Sequence, residues 1–384
     1  MSGLFAAGLS QHPSPAVAVG EVIGQILDKL DIEGSGPPDL AILFVTPPHA
    51  GALEDAVRTI RDTLHPGALL GCAAISVVGG GREVEQSPGV ALWAGMTGPV
   101  TPFHLTVQDT PDGQTVTGWP DEIPDDPSAL LLIPDPFSFP ADPFLARLDQ
   151  DRPGLPVVGG MASAARGPGG NRLVIDDRVV SAGAVGTFLP SSLTVTPVVS
   201  QGCRPVGSPF AVTRAEGNIV YELGGKPALE RLQEVATGAT DADRHLLSQF
   251  VHIGRVIDES KVEFDRGDFL IRNVLGADPR AGAIMVNDEV VVGSTLQFQV
   301  RDAVSAGEDL AHLMTSRQAD GALLFTCNGR GSHMFTAPDH DASVVSDSLG
   351  GAPLAGMFCA GELGPIGGRN FVHGFTASVV LFSV

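Results

Sequence analysis

ALLFTCNGRG (residues 322–331) is an apolar run of strand length that stops at a cysteine and breaks into Asn328-Gly329-Arg330-Gly331. Two earlier stretches share that build: DLAILFVTPPHAG (39–51) closes on Pro47-Pro48, and ALLLIPDPFSF (129–139) closes on Asp135-Pro136. Each precedes a helical pattern, LEDAVRTIRDTL (53–64), FLARLDQDRP (144–153) and DHDASVVSDSLGG (339–351). Each helix precedes a second apolar strand that runs into glycine: ALLGCAAISVVGGGREV (68–84), LPVVGGMASAARGPGG (155–170) and APLAGMFCAGELGPIGG (352–368). Strand, helix, strand predicts an α/β fold, with α+β as the alternative, built of layered sheets flanked by helices. The recurrence predicts an internally duplicated strand–helix–strand–hairpin unit, with the glycine turns at 79–81, 159–160 and 361–368 in equivalent places.

Between the second and third copies the texture changes. Residues 197–230 alternate in strand fashion with turns at Gly217-Asn218 and Gly224-Gly225, and 269–303 is rich in β-branched residues. ALERLQEVA (228–236) and SAGEDLAHLMTSRQ (305–318) read as helices. A length of 384 residues suggests two domains. The boundary is expected near residue 197, giving domains 1–197 and 198–384.

Composition narrows the function classes. A hydrophobic fraction of 43% supports a large core. A net charge of −21 argues against nucleic acid, whose phosphates need clustered Lys and Arg. Lys29, Lys226 and Lys261 are the only lysines. Cys72, Cys203, Cys327 and Cys359 form no C-x-x-C pair, so neither a zinc site nor a disulfide framework is indicated. No metal or cofactor is expected. The N-terminus has no basic leader pattern and no apolar run reaches a membrane span, so a cytoplasmic protein without membrane insertion is expected.

The candidate site starts at Cys327-Asn328-Gly329-Arg330-Gly331. Glycines at a strand end let backbone amides approach a ligand, and a guanidinium can hold a carboxylate with two hydrogen bonds. The same residues also describe a plain turn with Arg330 in water. Cys327 reads either as a small packing residue or as a nucleophile. Glu362, inside Gly361-Glu362-Leu363-Gly364-Pro365, would complement Arg330. Together they suit an amino acid, which carries one charge of each sign. His373 and Thr376 are weaker candidates nearby. Gly79–Glu83 does not have phosphate-loop spacing. Arg204, in Gly202-Cys203-Arg204-Pro205, has an interdomain or a ligand role.

These residues carry a resemblance. CNGRG (327–331), GMFCAGELGPIGGRNFVHGFT (356–376), VTRAEGNIVYELGGKPALE (212–230) and FLIRNVLGADPRAGAI (269–284) resemble the C-terminal FIST domain. GCAAISVVGGGREVE (71–85) and LPVVGGMASA (155–164) resemble the N-terminal FIST domain. The resemblance implies a sensory module that binds a small ligand, with amino acids the suggested class. The chain shows no kinase, cyclase or receptor segment, so output would pass to a protein partner in trans. A cysteine-dependent enzyme and a ligand-free interaction scaffold are the alternatives.

Overall fold

The computed structural model describes residues 3–30, 32–111 and 113–384. The chain separates into two compact units: Met1–Val199 with Leu310–Val372 and Thr376–Val384, and Ser200–Asp309 with His373–Phe375. This division differs from the expected domains 1–197 and 198–384, because Leu310–Val372 and Thr376–Val384 group with the first unit.

In the first unit the three repeats take one form. Each has a lead strand (Leu40–Val45, Ala129–Pro134, Gly321–Cys327) and a helix (Leu53–Leu64, Ala141–Asp151, His340–Ser348). A parallel partner strand follows (Ala68–Ala73, Val157–Gly160, Leu354–Cys359). After a hairpin comes an antiparallel return strand (Val90–Gly95, Ala184–Leu189, Thr376–Ser383). The α/β layering expected from the sequence is therefore present.

One glycine per repeat fixes how closely the parallel strands approach. Gly71, Gly159 and Gly356 lie in register with Leu43, Leu132 and Leu324. A Cβ at these glycines would stand 2.0, 2.0 and 1.9 Å from the leucine carbonyl oxygens, so no side chain fits. This corrects the equivalence drawn from the sequence. Gly159-Gly160 lies inside a strand and matches Gly71 and Gly356, whereas Gly79–Gly81 belongs to a hairpin turn. The matching turns are Asp176-Asp177 and Gly367-Gly368, with positive φ at Asp176 and at both glycines, and each of the three turns is followed by an arginine (Arg82, Arg178, Arg369).

The hairpins leave their own repeats. The run 68–84 is not one strand: it breaks at Ala74-Ile75, where the chain crosses over, and again at the hairpin turn before Arg82–Glu85. Ser163 pins that crossing, accepting the Ile75 N–H at 3.0 Å and donating to the Phe358 carbonyl. The first hairpin (Ser76–Gly79, Arg82–Glu85) then pairs with the partner strand of the third repeat. The second (Leu173–Ile175, Arg178–Val180) pairs with that of the first, and the third (Glu362–Ile366, Arg369–His373) with that of the second. Among the described residues this cyclic exchange gives sheets of six, seven and six strands.

All three sheets face one core. Ile42 and Phe44, Leu131 and Ile133, and Leu323 and Phe325 meet there from the three lead strands. Alternate residues face outward onto helices, which form separate clusters on each sheet. Burial on both faces is why the lead strands read as unbroken apolar runs.

The second unit is an antiparallel barrel. Phe210–Glu216, Ile219–Leu223, Ala283–Val286, Phe269–Asp278 and His252–Val256 follow in order, and Thr295–Arg301 closes the ring by pairing with both ends. Leu296, Phe298, Val300, Ile253 and Ile284 fill its interior.

Candidate functional site

The lead strand of the third repeat ends at Cys327, directly in register with Cys359. Gly331 then takes φ 57°, and a Cβ there would stand 2.8 Å from the Glu85 carboxylate, so only glycine fits without displacement. Glu85, brought in by the exchanged first hairpin, ties the turn down by accepting from the Ser332 N–H (2.9 Å) and hydroxyl (2.7 Å).

Arg330 points inward and is 0% exposed. Its Nε and Nη2 donate to the two oxygens of Asp341 at 2.7 and 2.8 Å, in the first turn of helix His340–Ser348. Asp341 also accepts from the Thr326 hydroxyl at 2.7 Å and meets His340 Nδ1 at 3.0 Å. Burial alone would raise the Asp341 carboxyl, but the Arg330 charge and these hydrogen bonds override it and hold the group well below the usual carboxylate range. The guanidinium lies 5.2 Å from the Phe335 ring, which stacks on His340 at 3.6 Å.

Glu362 opens the third hairpin and is also fully buried. Its Oε2 accepts from the Thr376 N–H at 3.2 Å and hydroxyl at 2.7 Å. Its Oε1 has no partner at hydrogen-bond geometry. Burial pushes Glu362 up to about 8, against the opposing pull of Thr376, the Arg330 charge and the Cys327 thiol. Glu362 is therefore a neutral acid at pH 7, beside Cys327 and an internally neutralised Arg330–Asp341 pair.

Of the residues singled out in the sequence, Cys327, Arg330, Gly331, Gly361 and Glu362 come together here, and Gly364 is buried in the same hairpin. Asn328 is exposed and Gly329 half-buried; the Gly329 N–H points at Cys327 Sγ at 3.5 Å. His373 and Arg204 belong to the second unit. Arg204 is held there between Asp302 and Asp243, at 2.5 Å from each.

Sequence reasoning missed Asp341 and Glu83. Glu83 accepts from the Ala342 N–H at 3.0 Å, leaves Oε2 without a partner, and is pushed up to about 7 by burial and then by Asp341. The alternation of acids in Arg82-Glu83-Val84-Glu85 was the available signal, but it does not say which sheet receives the hairpin. A surface cavity of about 590 Å³ lies elsewhere, lined by Trp119, Phe144, Arg147 and Asp151. Its Arg147–Asp151 pair is solvent-exposed, so the unusual chemistry sits in the buried network instead.

The FIST N domain matches residues 39–226 and the FIST C domain residues 228–365. The chain belongs to the FIST family. The uncharacterized protein Rv0628c of Mycobacterium tuberculosis (strain ATCC 25618 / H37Rv) is 44% identical over 382 residues, covering 98% of each chain. The uncharacterized protein Mb0898c of Mycobacterium bovis (strain ATCC BAA-935 / AF2122/97) is also 44% identical over 382 residues, covering 98% of this chain and 97% of its own. FIST domains are associated with small-ligand sensing and signal transduction. Among the described residues of this FIST protein, no helix is long and apolar enough to cross a membrane.

Proposed function

We propose that this FIST protein is a cytoplasmic small-ligand sensor that takes an amino acid at the end of the third lead strand and signals in trans to a protein partner. The observation that carries the reading is Glu362, a buried neutral carboxyl with one oxygen unmatched beside Cys327 and Arg330. A protonated carboxyl can donate a hydrogen bond, and the Arg330–Asp341 pair keeps the surroundings close to neutral. A ligand carboxylate would take the Glu362 proton as a hydrogen bond beside the Asn328–Gly331 turn, whose Asn328 and Arg330 N–H groups are already engaged by the Cys359 and Cys327 carbonyls. Arg330 then serves to preorganise that turn, since both ends of its fork are already engaged by Asp341.

Thermal denaturation against the standard amino acids tests this. A true ligand at about 100 times its Kd adds roughly 2.7 kcal/mol of stability. Glu362→Leu, which fills the space without a donor, is expected to abolish that gain. If no amino acid or related metabolite shifts the transition, the reading fails.

A further inference from the structure

The second unit holds a polar cluster that its fold does not use. Eight buried side-chain nitrogen or oxygen atoms among the described residues have no hydrogen-bond partner, and four of them are His252 Nδ1 and Nε2, Gln201 Oε1 and Gln299 Nε2. These three residues are 3%, 2% and 1% exposed. Groups so placed destabilise a protein unless something meets them, and native proteins leave few.

The four atoms occupy one patch of the barrel's outer wall. His252 and Gln299 are cross-strand partners, so their side chains share a face, while the neighbouring pair Ile253 and Phe298 points into the barrel. Two residues on, Gly254 leaves room: a Cβ there would stand 2.6 Å from Gln299 Nε2 and 2.9 Å from Phe269 Cβ. Gln201 reaches the same place, donating Nε2 to the Phe269 carbonyl at 2.6 Å, which fixes its oxygen as the remaining acceptor. Phe375 flanks the patch, its ring 4.6 Å from that of His252 and 5.4 Å from the Arg301 guanidinium carbon. Asn273 is the other cross-strand neighbour of His252 and partly offsets the lowering of the ring's pKa, while both ring nitrogens stay outside hydrogen-bond geometry.

We infer that His252, Gln201 and Gln299 form a second ligand site that takes a neutral carboxamide group. Gln299 and one imidazole nitrogen offer N–H donors to a carbonyl oxygen. Gln201 Oε1 and the other imidazole nitrogen accept from the amide N–H. A cation is disfavoured by Arg301, and a carboxylate cannot satisfy the two acceptors. Burial and the Arg301 charge keep the imidazole neutral, with its pKa lowered to about 4, which preserves one donor and one acceptor on the ring. This site does not rest on the Glu362 reading.

Acetamide is the probe, with acetate and methylammonium as charged controls, on the whole chain. Nitrogen-15 resonances of the His252 ring are expected to shift saturably with acetamide and not with the controls. The melting temperature should rise with the logarithm of acetamide concentration. Gln299→Leu and Gln201→Met should each lose both responses. The unliganded melting temperature of Gln299→Leu should equal or exceed the parent's because an unmet polar atom has gone, whereas Gln201→Met also gives up its hydrogen bond to the Phe269 carbonyl and should melt somewhat lower. Glu362→Leu should leave the acetamide response intact, which separates this site from the one in the third repeat. The inference is overturned if acetamide leaves the His252 resonances unmoved, or if both variants respond as the parent does. Either result would mean the patch holds only water.

Discussion

Glu83 and Glu362 hold protons in the folded protein that the unfolded chain would release. Their pKa values rise from 4.5 to about 7 and about 8. A carboxyl raised on folding stabilises the native state while protonated, and that contribution is lost as pH rises from its unfolded towards its folded pKa. His252 acts in the opposite sense: lowered from 6.5 to about 4, it adds stability as pH rises across that interval. Stability is therefore expected to fall gently between about pH 5 and 6.5, more steeply towards pH 7, and to level off near about pH 8, before ionisation of the Cys72 and Cys359 thiols in the unfolded chain lowers it again. Denaturant titrations across pH check this. In Glu362→Gln the slope between pH 6.5 and 8 should flatten by one proton's worth, and an unchanged slope would show that Glu362 ionises normally.

At the scale of the element, the parallel strand pairs depend on a glycine rather than on side-chain packing. Gly159→Ala would place its methyl within 2.0 Å of the Leu132 carbonyl oxygen, a distance that forces the strands apart. A loss of more than about 3 kcal/mol is expected, at the upper end of what single substitutions produce. Gly154→Ala is a useful comparison. It lies in the preceding loop at φ 84° with open space around its Cβ, so its cost should be only the backbone strain of about 1–2 kcal/mol. Equal losses in urea denaturation would contradict the close-approach account. The apolar runs and their helices were legible because period and length suffice to recognise them. The glycine equivalence was misread because turn glycines and strand glycines look alike in sequence, and only the register separates them.

At the scale of the whole molecule, the hairpin exchange makes the three repeats depend on one another. Residues 1–199 alone would contain the first hairpin without the strand Leu354–Cys359 that it pairs with. They would also lack Leu323, Phe325, Met357 and Phe382 from the shared core. That fragment is expected to show no cooperative unfolding transition and to bind hydrophobic dye, as chains with secondary structure but incomplete packing do. A sharp calorimetric transition for 1–199 would show that two repeats suffice. The candidate site has the same dependence, since Glu85 and Glu83 reach it from the first repeat.

The sequence by itself determined the repeated strands and helices, the turn at Asn328–Gly331, and the family, because these rest on local periodicity and on runs of contiguous residues. It also marked Cys327, Arg330 and Glu362, whose neighbours in the chain are unusual. Only the tertiary structure decided that Arg330 is neutralised by Asp341 and that Glu362 is a neutral acid. It alone showed the unmet polar atoms around His252. Charge state and hydrogen-bond satisfaction depend on which distant groups share a dry volume, and the spacing of letters along a chain does not carry that information.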